Sequence, residues 1–394
     1  MYKIDNIKCT LDKEFDEKII AKSAGIKPND ILSYKIIRKS VDARKKSNVH
    51  YVYSGAVKTI KKLNFPLYEE KKYVFPKGKA LNKRPVIVGC GPAGLFAALM
   101  LAKSGNRPIL LEQGADVGQR KKAVEAYWNG GKLDERTNVQ FGEGGAGTFS
   151  DGKLNSGIHD VRCGFVLETF ANMGAKEEIT YTAKPHIGTD ILHGVVKNIR
   201  MEIEKYGGEV RFLTKLTDII IENNSISGAV SECGGKSELI DTDCIILAIG
   251  HSARDTYKML TRHNVRMEQK NFSVGVRIEH KQKMINESQY GEFAKYLEAA
   301  DYKLSAHFEN GRSAYSFCMC PGGSVVASAS EDGSIVTNGM SNSARDGENA
   351  NSALLVNVTT EDFSDDDPLA GMYFQEKIEK KAFEITKSSV APGM

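Results

Sequence analysis

The chain has 394 residues, a formal net charge of +4, 41% hydrophobic residues and 26% charged residues. This length suits two or three domains of roughly 100–200 residues each, and the composition is typical of a globular protein. The small charge does not by itself indicate a nucleic-acid partner. The seven cysteines are scattered and show no zinc-ligand spacing, which predicts reduced thiols and no metal site. The sequence shows neither a secretory signal nor a membrane span, so we expect a cytoplasmic protein.

Residues 1–82 are predicted to form a small basic α+β domain. Strands are expected at Lys3–Cys9, Ile31–Lys39 and Val49–Ser54, a helix at Phe15–Ala24, and a lysine-rich connector at Lys58–Lys83. Its basic residues are Lys35, Arg38, Lys39, Arg44, Lys45, Lys46, Lys58, Lys61 and Lys62. They form either a nucleic-acid face, or a solvated surface or docking face for acidic parts of the same chain.

The segment Pro85–Ala98 has the form of a dinucleotide-binding fingerprint. An apolar strand leads into Gly89-Cys-Gly91-Pro-Ala-Gly94, a helix follows, and the next strand ends at Glu112, 18 residues after Gly94. The glycines permit a tight turn, close approach of a pyrophosphate and close packing of helix on strand. The helix N-terminus attracts phosphate, and the Glu112 carboxylate is expected to accept both hydroxyls of an adenosine ribose.

The chain after the fingerprint follows a layout that recurs in FAD-binding domains. Helices are predicted at Gln119–Trp128, Phe165–Asn172 and Ile191–Tyr206. Strands are predicted at Val210–Leu213, Asp218–Glu222, Gly228–Cys233, Ser237–Leu239 and Cys244–Gly250. A β-meander would therefore replace a crossover helix before the last apolar strand.

A glycine-rich segment, Asn138–Leu154, is the second strong signal. Four glycines within six positions, 142–147, remove Cβ atoms where a ligand must approach the backbone. Thr148 and Ser150 can donate hydrogen bonds, and Lys153 supplies a positive charge that would stabilise an anionic reduced flavin. The alternative is a flexible glycine loop.

Three further groups are weaker candidates. Arg254 would face a phosphate or an anionic substrate, or pair with a carboxylate such as Asp255. His186 would be a proton donor near a flavin or a structural histidine. Cys318 and Cys320 would be a redox pair or small side chains that are buried or face the substrate, because residues i and i+2 of a regular strand lie roughly 6–7 Å apart.

The last third, residues 261–394, is predicted to be a substrate or cap domain. Strands are expected at Ser273–His280, Tyr315–Met319 and Ser324–Ala329. Helices are expected at Tyr290–Ala300 and Tyr373–Thr386.

Several of these motifs together resemble the uncharacterised FAD-dependent dehydrogenases of bacteria, which belong to the glutathione-reductase-like FAD-binding superfamily. They are the fingerprint, 138–154, 185–190, 317–323 and 345–353. The resemblance covers essentially the whole chain. It implies an α/β fold with a Rossmann-like FAD domain at 83–260 between the domains at 1–82 and 261–394.

The resemblance also implies a set of cofactor-binding residues. The ADP half of FAD would be bound by the fingerprint, with Gln113 and Arg120 beside it and the Leu216 backbone at adenine. The ribityl chain or flavin would lie near Thr148, Ser150, Lys153 and Leu154, and the pyrophosphate near Gly250. The full predicted set is Gly89, Gly91, Pro92, Ala93, Gly94, Glu112, Gln113, Arg120, Gly147, Thr148, Ser150, Lys153, Leu154, Leu216, Gly250 and His251. The catalytic candidates are Lys153, His186, Cys318 and Cys320.

One motif that the superfamily usually carries is missing from the sequence. A late Gly-Asp pair closes the FAD site over the ribityl chain in such flavoproteins, and no such segment precedes the last residues, Ser388–Met394. We therefore expect a C-terminally truncated fragment with an incomplete FAD site.

The leading hypothesis is an FAD-dependent oxidoreductase acting by hydride transfer on a small molecule that the sequence does not identify. There is no second fingerprint, so NAD(P)H would act only as a transient reductant. An alternative is a flavin-binding module in RNA modification or regulation that docks through residues 1–82. An NAD-binding dehydrogenase is disfavoured by the glycine loop and the β-meander.

Overall fold

The computed structural model describes residues 1–76, 78, 80–158, 160–363 and 366–386. The strands are β1 (Tyr2–Cys9), β2 (Ile31–Asp42), β3 (His50–Thr59), β4 (Val86–Val88), β5 (Ile109–Leu111), β6 (Glu209–Arg211), β7 (Thr214–Glu222), β8 (Ser225–Cys233), β9 (Lys236–Asp241), β10 (Ile245–Leu247), β11 (Phe272–Lys281), β12 (Ser305–His307), β13 (Ser313–Cys320), β14 (Gly323–Ala327), β15 (Thr337–Ser341) and β16 (Asn349–Val358). The helices are α1 (Glu17–Ala24), α2 (Pro92–Lys103), α3 (Val117–Trp128), α4 (Val161–Asn172), α5 (Thr189–Lys205), α6 (Arg254–Arg262), α7 (Gln282–Tyr290) and α8 (Ala370–Thr386).

A parallel sheet with strand order β10-β4-β5-β6 forms the centre of the fold. Alternate residues of its strands face opposite sides, as the pleat requires. Ile87 and Leu110 pack against α2, α4 and α5, whereas Val86 and Leu111 pack against strands β7-β8-β9 and α6. The structure thus confirms an α/β fold in which a β-meander covers one face of a parallel sheet.

The N-terminal residues form an antiparallel sheet, β1-β3-β2, covered by α1. Asp16 caps the start of α1 by accepting from the Ile19 amide, and Gly25 ends it with a φ of 68°. Ile20 of α1 is completely buried and packs with residues of β1 and β3. The predicted α+β character of this part of the chain is therefore confirmed.

Several basic residues of this part are paired within it. Lys35 pairs with Glu70, and the Arg44 and Lys61 side chains lie 2.6 and 2.7 Å from Asp42 and Asp30. Part of the positive charge is therefore compensated locally.

The last third of the chain forms an antiparallel sheet with order β11-β16-β13-β12, and the β14–β15 hairpin lies beside it. Its central strand, β16, and strands β12 and β15 are absent from the sequence predictions. The helix predicted at Tyr290–Ala300 is wrong: α7 ends at Tyr290, Gly291 has a φ of 59°, and only a 3-10 turn at Gly291–Tyr296 follows.

Other predicted elements agree with the structure except at their ends. The apolar strand expected at Cys244–Gly250 has ladder pairing only over Ile245–Leu247. The following residues leave the sheet and form part of a cavity wall. Residues Ser388–Met394, which entered the truncation hypothesis, lie outside the described residues. Within the described ranges, no helix has both the length and the apolar character to cross a membrane.

Arg254 at the start of α6 joins the parallel-sheet region to α8. Its guanidinium lies 2.8 Å from Glu331 and 2.8 Å from Glu379, and the residue is only 8% exposed. The carboxylate alternative for Arg254 is thus the correct one, although Asp255 pairs instead with Lys215. Burial raises the pKa of Glu379, and the hydrogen bonds from Arg254 oppose that rise.

Replacing Arg254 by Met is expected to loosen α8, because it leaves the partly buried Glu379 carboxylate without its cation. Loss of one partner of such a pair costs about 3 kcal/mol. Hydrogen exchange of the α8 amides measures this local stability. Arg266→Met is the matched control, since Arg266 and Glu268 pair on the surface with side chains 88% and 72% exposed and should change stability by less than about 0.5 kcal/mol. Unchanged protection of α8 in Arg254→Met would contradict the role of this pair.

Candidate functional site

A cavity of about 590 Å³ opens at the carboxyl edge of the parallel sheet. Its walls come from the segments after β4, β5 and β10, from the start of β7, and from the glycine-rich loop. Open α/β sheets bind ligands at this edge, where the chain leaves neighbouring strands in different directions. The volume is within the usual range of small-molecule sites, roughly 300–1,000 Å³.

The turn between β4 and α2 can form only because two of its residues lack side chains. Gly89 has a φ of 99°, which glycine adopts without strain. A Cβ on Gly94 would lie 1.8 Å from the Gly89 carbonyl oxygen. Gly94 therefore sets the close packing of helix on strand, and it does not line the cavity.

The first turn of α2 faces the cavity with its backbone amides uncapped. Gly91 is the N-cap, Pro92 is the first helical residue, and no side chain of the described residues caps the helix. An uncapped helix N-terminus is a favourable environment for phosphate.

The glycine-rich loop brings a second stretch of bare backbone to the same place. A Cβ added to Gly145 would be 2.9 Å from the Gly91 Cα. A Cβ on Gly91, in contrast, would meet nothing closer than the Gly145 Cα at 3.9 Å. The two glycine backbones therefore lie in close contact, which a side chain at Gly145 would prevent, and both border the first cavity.

The Glu112 carboxylate is 95% buried and is held by backbone amides. One oxygen accepts from Gly114 and Gly142, both at 2.9 Å, and the other accepts from Cys90 at 2.7 Å. Because a carboxylate offers about four acceptor positions, about one remains. That leaves fewer acceptor positions than the two ribose hydroxyls that the sequence predicts for Glu112 would need.

Arg120 was predicted to lie beside the cofactor, and the structure places it elsewhere. It is fully buried and lines neither large cavity. Its guanidinium donates to the backbone carbonyls of Asn138, Val139, Gly142, Glu143 and Gly145. These bonds occupy all five donors of the group, so Arg120 shapes the loop and has no donor left for a ligand.

A second cavity of about 730 Å³ shares Pro92 and Gly147 with the first. It is mostly apolar, with Leu95, Phe96 and Phe170 among its lining residues. The Thr148 hydroxyl also lies on this wall, buried and without a hydrogen-bond partner among the described residues. A ligand hydroxyl would satisfy this orphaned group.

Lys153 lies in the wall of the second cavity within a cluster of charges. Its Nζ is 3.3 Å from the Asp151 carboxylate, which is fully buried. Arg345 donates to both oxygens of Asp151, at 2.8 and 2.5 Å. Two cations and one anion leave a formal excess of one positive charge beside the cavity.

His186 does not face either large cavity. It borders a small space of about 40 Å³, and its Nε2 lies 3.1 Å from the Ser343 carbonyl oxygen. Burial and the charge of Arg345 lower its pKa, so the ring is neutral at pH 7 and donates to that carbonyl. The proton-donor prediction for His186 is corrected to a structural role.

The remaining predicted site residues lie in two groups. The first cavity is lined by Gly89, Gly91, Pro92, Ala93, Glu112, Gln113, Gly147, Leu216, Gly250 and His251. The second is lined by Pro92, Gly147, Thr148, Ser150, Lys153 and Leu154. Cys318 and Cys320 lie on β13 and line neither cavity. Over the described residues, no cluster of His, Cys, Asp or Glu has a metal-binding arrangement.

Sequence reasoning missed Asp151 and Arg345 as partners, although both lie in motifs that it singled out. Their separation of 194 positions gives no local signal. It also missed Gln140, Phe141 and Tyr257 in the wall of the first cavity. Gln140 and Phe141 lie in the glycine-rich segment, which was the available clue.

Comparison with known proteins identifies relatives of the whole chain and of parts of it. An uncharacterized protein of Clostridium beijerinckii is 47% identical over 399 residues, which cover 97% of this chain and 74% of that protein. Aklavinone 12-hydroxylase DnrF of Streptomyces peucetius is 28% identical over 201 residues, and the match covers 47% of this chain and 40% of the hydroxylase.

Solved structures give weak global likeness. The flavin-dependent brominase Bmp2 has a TM-score of 0.35 at 14% identity, covering 77% of this chain and 64% of the brominase. Thermovibrio ammonificans THI4 has a TM-score of 0.33 at 17% identity, covering 48% of this chain and 66% of that protein. The fold assignment depends on the sheet topology described above and not on these scores.

Two family models match parts of the chain. Residues 1–58 match a domain of unknown function. Residues 271–393 match the family described as FAD-dependent protein, C-terminal domain-like. The chain therefore belongs to the family of the Clostridium beijerinckii protein and carries a region like the C-terminal domain of FAD-dependent proteins.

Proposed function

We propose that the protein is an FAD-dependent oxidoreductase that acts by hydride transfer on a small molecule. The main support is that one cavity is lined by the bare backbone of Gly91 and Gly145, by the uncapped start of α2 and by Glu112. Bare backbone beside a helix N-terminus suits a pyrophosphate.

In this proposal the first cavity binds the ADP half of FAD. Gly89, Gly91, Pro92 and Ala93 would surround the pyrophosphate together with Gly250. The free acceptor position of Glu112 would take one ribose hydroxyl, and the start of β7 at Leu216 would lie at the adenine. When bound, FAD supplies a hydride acceptor and donor.

The ribityl and flavin half would extend toward the second cavity, since Pro92 and Gly147 border both. The orphaned Thr148 hydroxyl would gain a hydrogen-bond partner there. Lys153 would act through its charge, because the cluster with Asp151 and Arg345 has one positive charge in excess. A cation fixed near a group that gains negative charge on reduction favours the reduced form.

The apolar lining of the second cavity favours an apolar or aromatic small molecule as the reactant.

We further propose that residues 1–82, 83–260 and 261–394 are separate domains. We also propose that NAD(P)H binds only transiently, because the sequence has one fingerprint.

Gly91→Ala is expected to weaken FAD binding at least about tenfold without weakening the fold. The added methyl would meet no protein atom closer than 3.9 Å, but it would occupy the space assigned to the pyrophosphate, and a tenfold loss is about 1.4 kcal/mol. The measurements are FAD titration, followed by flavin fluorescence, and thermal melting.

Gly94→Ala is the matched comparison for this test. Its methyl would collide with the Gly89 carbonyl, so it is expected to lower the melting temperature. If Gly91→Ala bound FAD as tightly as the natural protein, the assignment of the first cavity would be wrong.

Lys153→Met is expected to make bound FAD harder to reduce, because it removes the excess positive charge. A shift on the order of −30 mV corresponds to about 1.4 kcal/mol for a two-electron couple. Redox titration against a reference dye measures it. Lys153→Arg should retain the potential, and Lys122→Met, which removes an exposed charge on α3, should leave it unchanged. A potential unaffected by Lys153→Met would exclude an electrostatic role for this lysine.

A further inference from the structure

Two cysteines occupy an irregular part of β13. Pairing with β16 is regular up to Phe317 opposite Ala353 and resumes at Cys320 opposite Asn351, so the strand carries a bulge. Cys318, inside the bulge, has a φ of 46°. Left-handed backbone is costly for a residue with a Cβ, and such residues and bulges concentrate at functional sites.

The bulge turns the Cys320 side chain back toward Cys318. The Cys320 sulfur donates to the Cys318 carbonyl oxygen at 3.2 Å. Each thiol also shifts the pKa of the other. The spacing of a regular strand, which would keep the sulfurs apart, therefore does not apply here.

The two thiols differ in exposure and in the direction of their pKa shifts. Cys318 is partly exposed, whereas Cys320 is completely buried. The hydrogen bond from Cys320, together with the charges of Lys153 and Arg277, lowers the pKa of Cys318 below that of a free thiol, and burial opposes this shift. The hydrogen bond to Cys318 and burial raise the pKa of Cys320.

Arg277 and Asn351 hold this corner of the sheet in place. The Arg277 guanidinium donates to the Asn351 side-chain oxygen and reaches the Cys318 carbonyl at 3.4 Å. A Cβ on Gly339 would come within 2.7 Å of the Cys320 sulfur, so that glycine leaves the room the cluster needs. The Asn351 Nδ2 is buried and has no hydrogen-bond partner among the described residues.

We propose that Cys318 and Cys320 form a thiol–disulfide exchange site for low-molecular-mass disulfides. Cys318 is the attacking thiol because it is accessible and has cations beside it. Cys320 is the resolving thiol because it is buried against Cys318. This site goes beyond the proposed flavin chemistry and does not depend on it.

The reaction balances without any other oxidant. The Cys318 thiolate attacks one sulfur of the disulfide RSSR, forming a Cys318–SR bond and releasing RS⁻, which takes up the proton that Cys318 lost. The Cys320 thiol then gives up its proton, and its sulfur displaces the second RS⁻, which takes that proton. Two protein thiols are oxidised to one disulfide, and RSSR is reduced to two RSH.

The test uses the full chain with oxidised glutathione as the probe, followed by mass spectrometry of alkylated peptides. We expect a Cys318–Cys320 bridge in the natural protein and glutathione bound to Cys318 in Cys320→Ser. Cys318→Ser should leave Cys320 unmodified. Exposed Cys233 on β8 is the internal control for unassisted reaction.

A second measurement needs no variant. The rate of Cys318 alkylation as a function of pH should reach half of its plateau at a lower pH than that of free cysteine measured alongside, whose midpoint is about 8.5. Modification of Cys233 without a Cys318–Cys320 bridge, or a Cys318 midpoint equal to that of free cysteine, would overturn the proposal.

Discussion

The shape of the larger site depends on one buried cation, the guanidinium of Arg120. Burying it would be prohibitive without partners, and five backbone carbonyls of the loop at 138–145 supply them. The loop also contacts two buried carboxylates: the Gly142 amide donates to Glu112, and the Glu143 carboxylate of the loop accepts from the Val117 amide at the start of α3. The buried Arg120 cation thus fixes the carbonyls of the loop, and the buried Glu112 carboxylate fixes one of its amides. In this conformation the loop presents bare glycine backbone to the cavity.

Local sequence signals predicted the parts of the fold whose constraints are local. A glycine that needs positive φ, an apolar strand and an acid at the next strand end are each visible within about 25 residues, so β4, α2 and β5 were placed correctly. The meander was visible for the same reason, because its strands pair with their neighbours in sequence.

Long-range burial explains what the sequence did not reveal. Strand β16 lies between β11 and β13, yet its first half, residues 349–353, has no β-branched or aromatic residue, and its Asn and Ala residues have weak strand propensity. Asn351 and Ser352 are completely buried there, and neighbouring strands supply the reason. The family resemblance implied that Arg120 lies beside the cofactor, and only the fold shows that the loop takes all five of its donors.

The glycine loop is held from both sides, and this links the two proposed sites. Arg120 binds one end of the loop, and Arg345, from the segment before β16, binds Asp151 at the other. Asp151 in turn positions Lys153, which borders the second cavity and also acts electrostatically on Cys318. A thiolate at Cys318 partly offsets the charge of Lys153, and a disulfide would not. Oxidation of the cysteine pair would therefore strengthen the positive potential at the second cavity. The second cavity would then bind an anionic ligand more tightly when the two thiols are oxidised than when they are reduced.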